Sequence, residues 1–375
     1  ICAQCHKGTQ YARLVDTVLV RTAGTALPRV VMEVEAMAGQ GDVQAGGKTT
    51  ATGVSVALCT FNGALYLREQ LDSLLRQTSR PTELVLSDDG SSDASVSIVT
   101  EFARAVGMRL VVAPTHTRLG VAQNFNLALL LCSRQYVALS DQDDVWLPDK
   151  LATALAAMHE GEARYGTSCP LLVYSDLTVV SADLRPISSS FMRSEGLCNP
   201  SPHDALTILL TQNFATGCTM VVNRPLLECA LPIPKEAVVH DWWLALVAAS
   251  CGHVLYVDQP TIMYRQHDSN AIGMVTTTTA ASLKRIIVHP ASRLEHGIAM
   301  CTSCARQLDV LESRLTECHA VTAAIEHVHR VKEAIACGGV RSVGRLLSQH
   351  VRRLGRFRTV TLYLLCMLKG ADPRP

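Results

Sequence analysis

The chain has 375 residues, 48% of them apolar, enough for a packed core in one large domain with an accessory piece or in two domains. Its 34 Lys and Arg against 33 Asp and Glu leave a net charge of +1, which excludes a global electrostatic case for nucleic-acid binding. No apolar run reaches the ~20 residues of a membrane-spanning helix; the longest candidate, Val360–Leu368, is too short.

The charge is unevenly spread. From Ala281 to the end, 15 Lys and Arg stand against 7 Asp and Glu, so an acidic body carries a basic tail with its own task. The 14 cysteines are scattered. Cys59, Cys132, Cys218, Cys251 and Cys366 lie in apolar runs, where free thiols behave as small hydrophobes, and the pattern reads as a reducing cytosol. The pairs in "CAQCH" (from Cys2) and "CTSC" (from Cys301) are too far apart in sequence to support a four-cysteine zinc site.

In chain order, residues 1–50 lack periodicity and end in a Gly/Thr-rich stretch, which reads as a poorly ordered extension. From Val54, "VSVALC" reads as a buried strand. "ALYLREQLDSLLRQT" follows with Leu67, Leu71, Leu74 and Leu75 at helical spacing. "ELVLSDD", "MRLVVAP" and "QYVALSD" are the next strands. The helices between them are "DASVSIVTEFARAVG", capped by Gly107, and "GVAQNFNLALLLCS". Pro148 opens a further helix. "PLLVYSDLTVV" reads as a strand pair and "FATGCTMVVN" as another strand. "HDWWLALVAASCG" reads as a helix, and "HVLYVD" and "TIMYRQHD" as two short strands. Residues 281–370 look helical. This alternation predicts an α/β domain over 51–273 with a mostly parallel sheet, followed by a basic helical region over 274–375.

Ligands of such sheets bind at the carboxyl ends of the strands. Thr60 and Asn62, Asp88 and Asp89, and the cluster Asp141, Asp143, Asp144 all fall there. Carboxylates crowded on a turn between apolar segments repel one another unless a cation is held, and oxygen ligands suit Mg²⁺ or Mn²⁺ bridging to phosphate. In "DDGSSD", Asp93 can cap a helix while Asp89 binds a ligand. No G-x-G-x-x-G follows the first strand, which argues against a dinucleotide site.

These stretches, with "YSDLTVV", "NFATGCTMVVN", "HDWWLALVAASCG" and "YRQHDSN", resemble family-2 glycosyltransferases of the GT-A fold over about residues 53–273. The subgroup most similar makes bacterial surface polysaccharides and includes rhamnosyltransferases. The resemblance implies roles. Thr60 and Asp89 would contact the nucleotide base. Asp141 and Asp143 would contact the donor diphosphate, Asp143 and Asp144 would hold Mg²⁺ or Mn²⁺, and Asp241 would be the catalytic base. His267 would complete the metal or phosphate site and Arg265 would pair with phosphate. Asp241 would then sit apart from the acidic loop, on the acceptor side. Two departures stand out: His240 precedes the expected base where many members carry an acid, and Asp268 follows His267 where Gly is usual.

The implied reaction is inverting transfer of a sugar, L-rhamnose from dTDP-rhamnose, to a surface glycan or lipid-linked glycan acceptor. Two alternatives stand beside it. One is a haloacid dehalogenase-like phosphohydrolase with Asp141 as nucleophile and Asp143 as acid/base, because "DQDDV" fits that loop's spacing. The other is a non-catalytic glycan- or nucleotide-binding module. In the tail, Val343, Leu347, Val351, Leu354 and Phe357 recur at helical spacing among arginines with no acid. That reads as one amphipathic helix for an anionic membrane surface, placing the protein peripherally on the cytoplasmic face.

Overall fold

The computed structural model describes residues 33–34, 51–115, 118–267 and 290–370. Most of the expected N-terminal extension, with its "CAQCH" motif, and the segment from Asp268 lie outside the described residues.

Four parallel strands form one half of a mixed sheet. They are β2 (Ala51–Thr60), β3 (Glu83–Asp88), β4 (Arg109–Val112) and β5 (Arg134–Ser140). A two-residue β1 (Glu33–Val34) pairs antiparallel with β4. The other half holds β6 (Val145–Trp146), β7 (Leu171–Ser181), β8 (Pro186–Ser188), β9 (Val221–Asn223) and β10 (His253–Gln266). The strand order is β1-β4-β3-β2-β5-β9-β7-β10-β6, with β8 beside β7. β9 runs antiparallel to both β5 and β7 and so joins the halves.

Side chains alternate across the strands and feed two cores. Val56 and Leu58 of β2 face one, together with α1 (Ala64–Leu75), α2 (Ser95–Val106) and α4 (Lys150–Tyr165) through Leu71, Val99 and Met158. Ala57 and Cys59 face the other, which receives α3 (Val121–Leu131), α6 (Pro202–Leu209), α7 (Arg224–Ala230) and α8 (His240–Cys251). A short α5 (Phe191–Ser194) precedes α6. The C-terminal helices join this second core: α9 (Pro290–Glu317), α10 (Thr322–Ala336), α11 (Gly339–Ser348) and α12 (Arg356–Leu368) contribute Leu308, Val331, Leu346 and Leu362. Arg314 of α9 donates to the carbonyls of Leu231 at 3.0 Å and Pro232 at 3.1 Å, and so satisfies the chain leaving α7.

Several expected elements differ. "PLLVYSDLTVV" is one strand, not a pair. The polar Ser175 and Asp176 inside it do not end β7, because Asp176 accepts from the Leu177 and Met192 amides and from the Ser190 hydroxyl. "HVLYVD" and "TIMYRQHD" form the single strand β10, whose Pro260 falls at register shifts against β7. The helix expected to open at Pro148 starts at Lys150.

The basic tail is not one amphipathic helix. α11 ends at Ser348, and His350 (φ 54°) and Gly355 (φ 93°) turn the chain before α12. Val351 and Leu354, expected on the apolar stripe, are buried in this turn, whereas Phe357 is 83% exposed. Tertiary packing of the connection has overridden its local helical spacing.

Candidate active site

The parallel register sets the site. Thr60 pairs with Asp88 across β2 and β3, and Leu58 with Ser140 across β2 and β5, so three strand ends open on one edge.

The first acidic turn is internally satisfied. Asp88 accepts from the Thr60 hydroxyl at 2.6 Å, the Ser91 hydroxyl at 2.6 Å and the Ser91 amide at 2.7 Å. Asp89 accepts from the amides of Leu119 and Gly120 at the entry to α3, and Arg118 stands 3.9 Å away. Arg118 also lies 4.0 Å over the Phe61 ring. Phe61 and Arg118 thus border this turn, and the sequence reading missed both. An aromatic directly after a strand-end threonine was the available signal.

The second turn is built differently. Gln142 clamps it to the end of β2, accepting from the Phe61 amide at 2.8 Å and donating to the Phe61 carbonyl at 3.1 Å. Gly63 makes room for this clamp, since a Cβ there would lie 2.1 Å from the Gln142 Oε1. Asp143 and Asp144 meet different partners. Asp143 Oδ2 lies 2.9 Å from His267 Nε2. Asp144 turns inward. It is fully buried and accepts from the Arg265 amide at 3.2 Å, and its second oxygen has no hydrogen-bond partner among the described residues. Ligand atoms of Asp141, Asp144 and Cys218 all lie within 4.8 Å of one another. The expected metal trio Asp143, Asp144 and His267 therefore divides between two sides of the loop.

Electrostatics follow from this crowding. Burial pushes Asp141 up to about 7, with further upward pressure from Asp143 and Asp241. Burial, then Asp143 and Asp141, raise Asp144 well above the carboxylate range. Burial likewise raises the Cys218 thiol, which leaves it a neutral and poor ligand. Lys150 lies close by: it is buried, donates to the Cys218 carbonyl at 2.9 Å and sits 4.4 Å over the Trp146 ring. A buried Asp144 oxygen with no hydrogen-bond partner among the described residues, close to Asp141, fits a hard divalent cation such as Mg²⁺ or Mn²⁺.

Strand β10 carries Arg265 and His267 to the acidic loop, because its Ile262 and Met263 pair with Trp146 and Val145 of β6. Arg265 is 2% exposed. Its guanidinium donates to the Asp143 carbonyl at 2.8 Å, to the Ala182 carbonyl and to Glu69, and it lies 4.6 Å over the Tyr66 ring. These donors make Arg265 a strut that holds the loop. His267 stacks on Tyr66 at 4.7 Å.

Asp241 lies in the first turn of α8 rather than at its cap, which is Val239. One oxygen accepts from the Gly217 amide at 3.0 Å and the other from the Trp242 amide at 2.6 Å. Burial pushes its pKa up to about 6, with these hydrogen bonds pulling the other way. Asp241 was expected to stand apart from the acidic loop. Its charge instead bears on Asp141, and the short 3₁₀ turn Gly217–Thr219 links them, with Gly217 bonded to Asp241 and Cys218 beside Asp144. His240 also covers Gly217, whose added Cβ would lie 2.9 Å from the His240 Nε2. His240 is buried and stacked 3.8 Å from Phe125, and neither ring nitrogen has a partner among the described residues. Burial pulls its pKa down to about 3, so the ring is neutral. Trp242 and Trp243 anchor α8 by donating to the carbonyls of Leu209 and Ala230.

Residues 55–193 match the family "Glycosyl transferase family 2". An uncharacterised glycosyltransferase of Haemophilus influenzae is 30% identical over 242 residues, 62% of this chain and 72% of that protein. The dTDP-rhamnosyl transferase RfbG of Shigella flexneri is 26% identical over 228 residues, 58% of this chain and 73% of that protein. An Escherichia coli protein, the UDP-Glc:alpha-D-GlcNAc-diphosphoundecaprenol beta-1,3-glucosyltransferase WfgD, is 26% identical over 208 residues, 54% of this chain and 74% of that protein. The mixed α/β sheet with its acidic strand ends is a GT-A fold, and the enzyme it defines is a nucleotide-sugar glycosyltransferase. The chain belongs to glycosyl transferase family 2. The phosphohydrolase alternative loses its ground, since the "DQDDV" loop follows the central strand β5 inside the matched region.

Proposed function

We propose that this enzyme is an inverting, metal-dependent glycosyltransferase that moves L-rhamnose from dTDP-rhamnose to a surface glycan carried on lipid, working at the cytoplasmic face of a membrane. The observation that carries the mechanism is the state of Asp241. It is a carboxyl group oriented by the Gly217 and Trp242 amides, pushed up to about 6 and set beside the acidic loop. A base with a pKa near the working pH combines ionisation with useful basicity.

In this reading Asp241 accepts the proton of the acceptor hydroxyl. The hydroxyl oxygen forms the new bond at the anomeric carbon from the face opposite the leaving diphosphate, and the bond from that carbon to the diphosphate oxygen breaks. Asp143 and His267, with Asp141 and Asp144 behind them, would hold Mg²⁺ or Mn²⁺. When bound, that cation offsets negative charge developing on the leaving diphosphate. Arg265 is a positioning residue that keeps Asp143 in place. Thr60 and Asp89 shape the base pocket, with Phe61 and Arg118 as its flat walls. The donor assignment draws on the likeness to the Shigella dTDP-rhamnosyl transferase, and the lipid-linked acceptor on the likeness to the Escherichia coli enzyme.

The test is nucleoside diphosphate release from a panel of nucleotide sugars, with Mg²⁺, Mn²⁺ or chelator, and a membrane extract as acceptor source. Chelator-sensitive release from dTDP-rhamnose is expected. Release from a UDP-hexose instead would overturn the donor, and silence across the panel from folded protein would favour the non-catalytic binding module.

A further inference from the structure

α12 is apolar on two sides. Leu362 and Cys366 face inward and are 1% and 0% exposed. Phe357, Val360, Leu364, Met367 and Leu368 stand outward at 83%, 54%, 49%, 40% and 56% exposure. Their spacing of three, seven, ten and eleven residues from Phe357 places them on one continuous stripe. A soluble helix packed on a core normally turns polar residues outward, so this stripe needs an occupant.

The surrounding charge indicates which one. From Arg341 to Lys369 the chain holds no Asp or Glu, and Arg341, Arg345, Arg352 and Arg356 are exposed. The acids facing this region from other elements are already engaged: Asp204 pairs with Arg352 at 2.8 Å and Glu195 with Arg358 at 3.3 Å. Val360, Arg352 and Arg356 also line a groove of about 690 Å³ against Asn199–Ser201, at the N-terminal end of the stripe. An apolar stripe with the exposed Arg356 at its N-terminal end and no acid along the helix complements acyl chains beneath anionic headgroups. A second copy docked about a two-fold axis would present this same acid-free face and offer the arginines no partner. Among the described residues no helix is long and apolar enough to cross a membrane, so such contact would be peripheral.

We propose that the outward face of α12 docks on an anionic phospholipid surface, with the arginines at its N-terminal end contacting the headgroups. This surface differs from the stripe expected from the sequence, two members of which are buried. The proposal takes its purpose from the lipid-linked acceptor reading, but its test does not depend on that reading.

The full chain would be sedimented with vesicles of phosphatidylcholine and with vesicles of equal parts phosphatidylcholine and phosphatidylglycerol, at low and high salt. Binding to the mixed vesicles, weaker on phosphatidylcholine alone and weakened by salt, is expected. The double variant Phe357→Glu with Leu364→Glu changes only exposed side chains. It should lose roughly tenfold or more in partitioning while keeping wild-type circular dichroism and chelator-sensitive donor turnover in vesicle-free buffer. Arg356→Gln should bind less and show a shallower salt dependence. Equal partitioning of the double variant and wild type would overturn the proposal. So would a wild-type dimer in light scattering that the double variant dissolves, which would assign the face to a second copy. Loss of turnover on every donor with vesicle binding intact would overturn the catalytic reading and leave this one standing.

Discussion

Two acidic loops at neighbouring strand ends, Asp88–Asp93 and Asp141–Asp144, look alike in sequence and are opposites in structure. In the first, every carboxylate is satisfied by the protein. Asp88 closes its own turn, Asp89 holds the entry to α3, and Asp93 accepts from the Ala64 and Ser95 amides at 3.0 Å. Burial tends to raise Asp93, but hydrogen bonds from Ser95 and Ala64 outweigh it and hold it below its ordinary value. In the second, Asp144 Oδ2 has no hydrogen-bond partner among the described residues, and burial raises both Asp141 and Asp144, with Asp143 adding to each. In the first loop the satisfied carboxylates fix the turn. Buried carboxylates that the chain does not satisfy are ones whose charge a bound cation would offset.

Substitutions can break this comparison, and the second loop should show the largest effects. Asp143→Asn should lower turnover roughly a thousandfold through lost cation stabilisation. Metal-free thermal stability should stay the same or rise, because a repulsive charge is gone; a large drop in melting temperature would make Asp143 architecture instead. Asp241→Asn, outside both loops, should cost roughly a hundredfold or more in transfer. Donor and metal binding, read by calorimetry, should survive. Turnover near wild type would put the base elsewhere.

Asp88→Asn tests the first loop from the other side. It loses charge-assisted bonds to Thr60 and Ser91 and should destabilise by about 1–3 kcal/mol in urea unfolding. Its activity loss should follow from that, without a change in metal affinity.

pH separates the loops next. Asp141 rises from 3.8 to about 7 and Asp241 to about 6 in the folded chain. The folded state therefore binds more protons than the unfolded one between these values, so stability falls as pH rises through that window. In chelator, the melting temperature should decline from pH 4 toward pH 7, and Mn²⁺ should flatten the decline. A metal-free curve that rises instead would contradict the repulsion described for the second loop. The smallest effect belongs to Asp93→Ala, about 1 kcal/mol of stability from the lost turn at α2, with turnover of the folded enzyme unchanged.

Much of this was legible along the chain. The alternation from "VSVALC" to "QYVALSD" marks strands and helices because their hydrophobic periods are local. Thr60, Asp89 and Asp141–Asp144 fall at strand ends for the same reason. The resemblance drew Asp241 and His267 into the site, and the structure sets His267 against Asp143. What could not be read is which groups are already satisfied. One partner of Arg265, Glu69, lies 196 residues away in sequence. His240 reads as one more polar residue until Phe125 and Gly217 enclose it.

The sequence by itself determined the α/β alternation, the strand ends that carry acids and the basic bias of the tail, since each follows from the periodicity or composition of a short stretch. Only the tertiary structure decided that Gln142 would clamp onto Phe61, 81 residues earlier, and that β10 would return beside β6 to set His267 against Asp143. It also decided that the tail would bend at His350 and Gly355, burying Val351 and leaving Phe357 outside. Hydrogen-bond satisfaction, desolvation and charge repulsion depend on neighbours in space, and those neighbours come from distant parts of the chain.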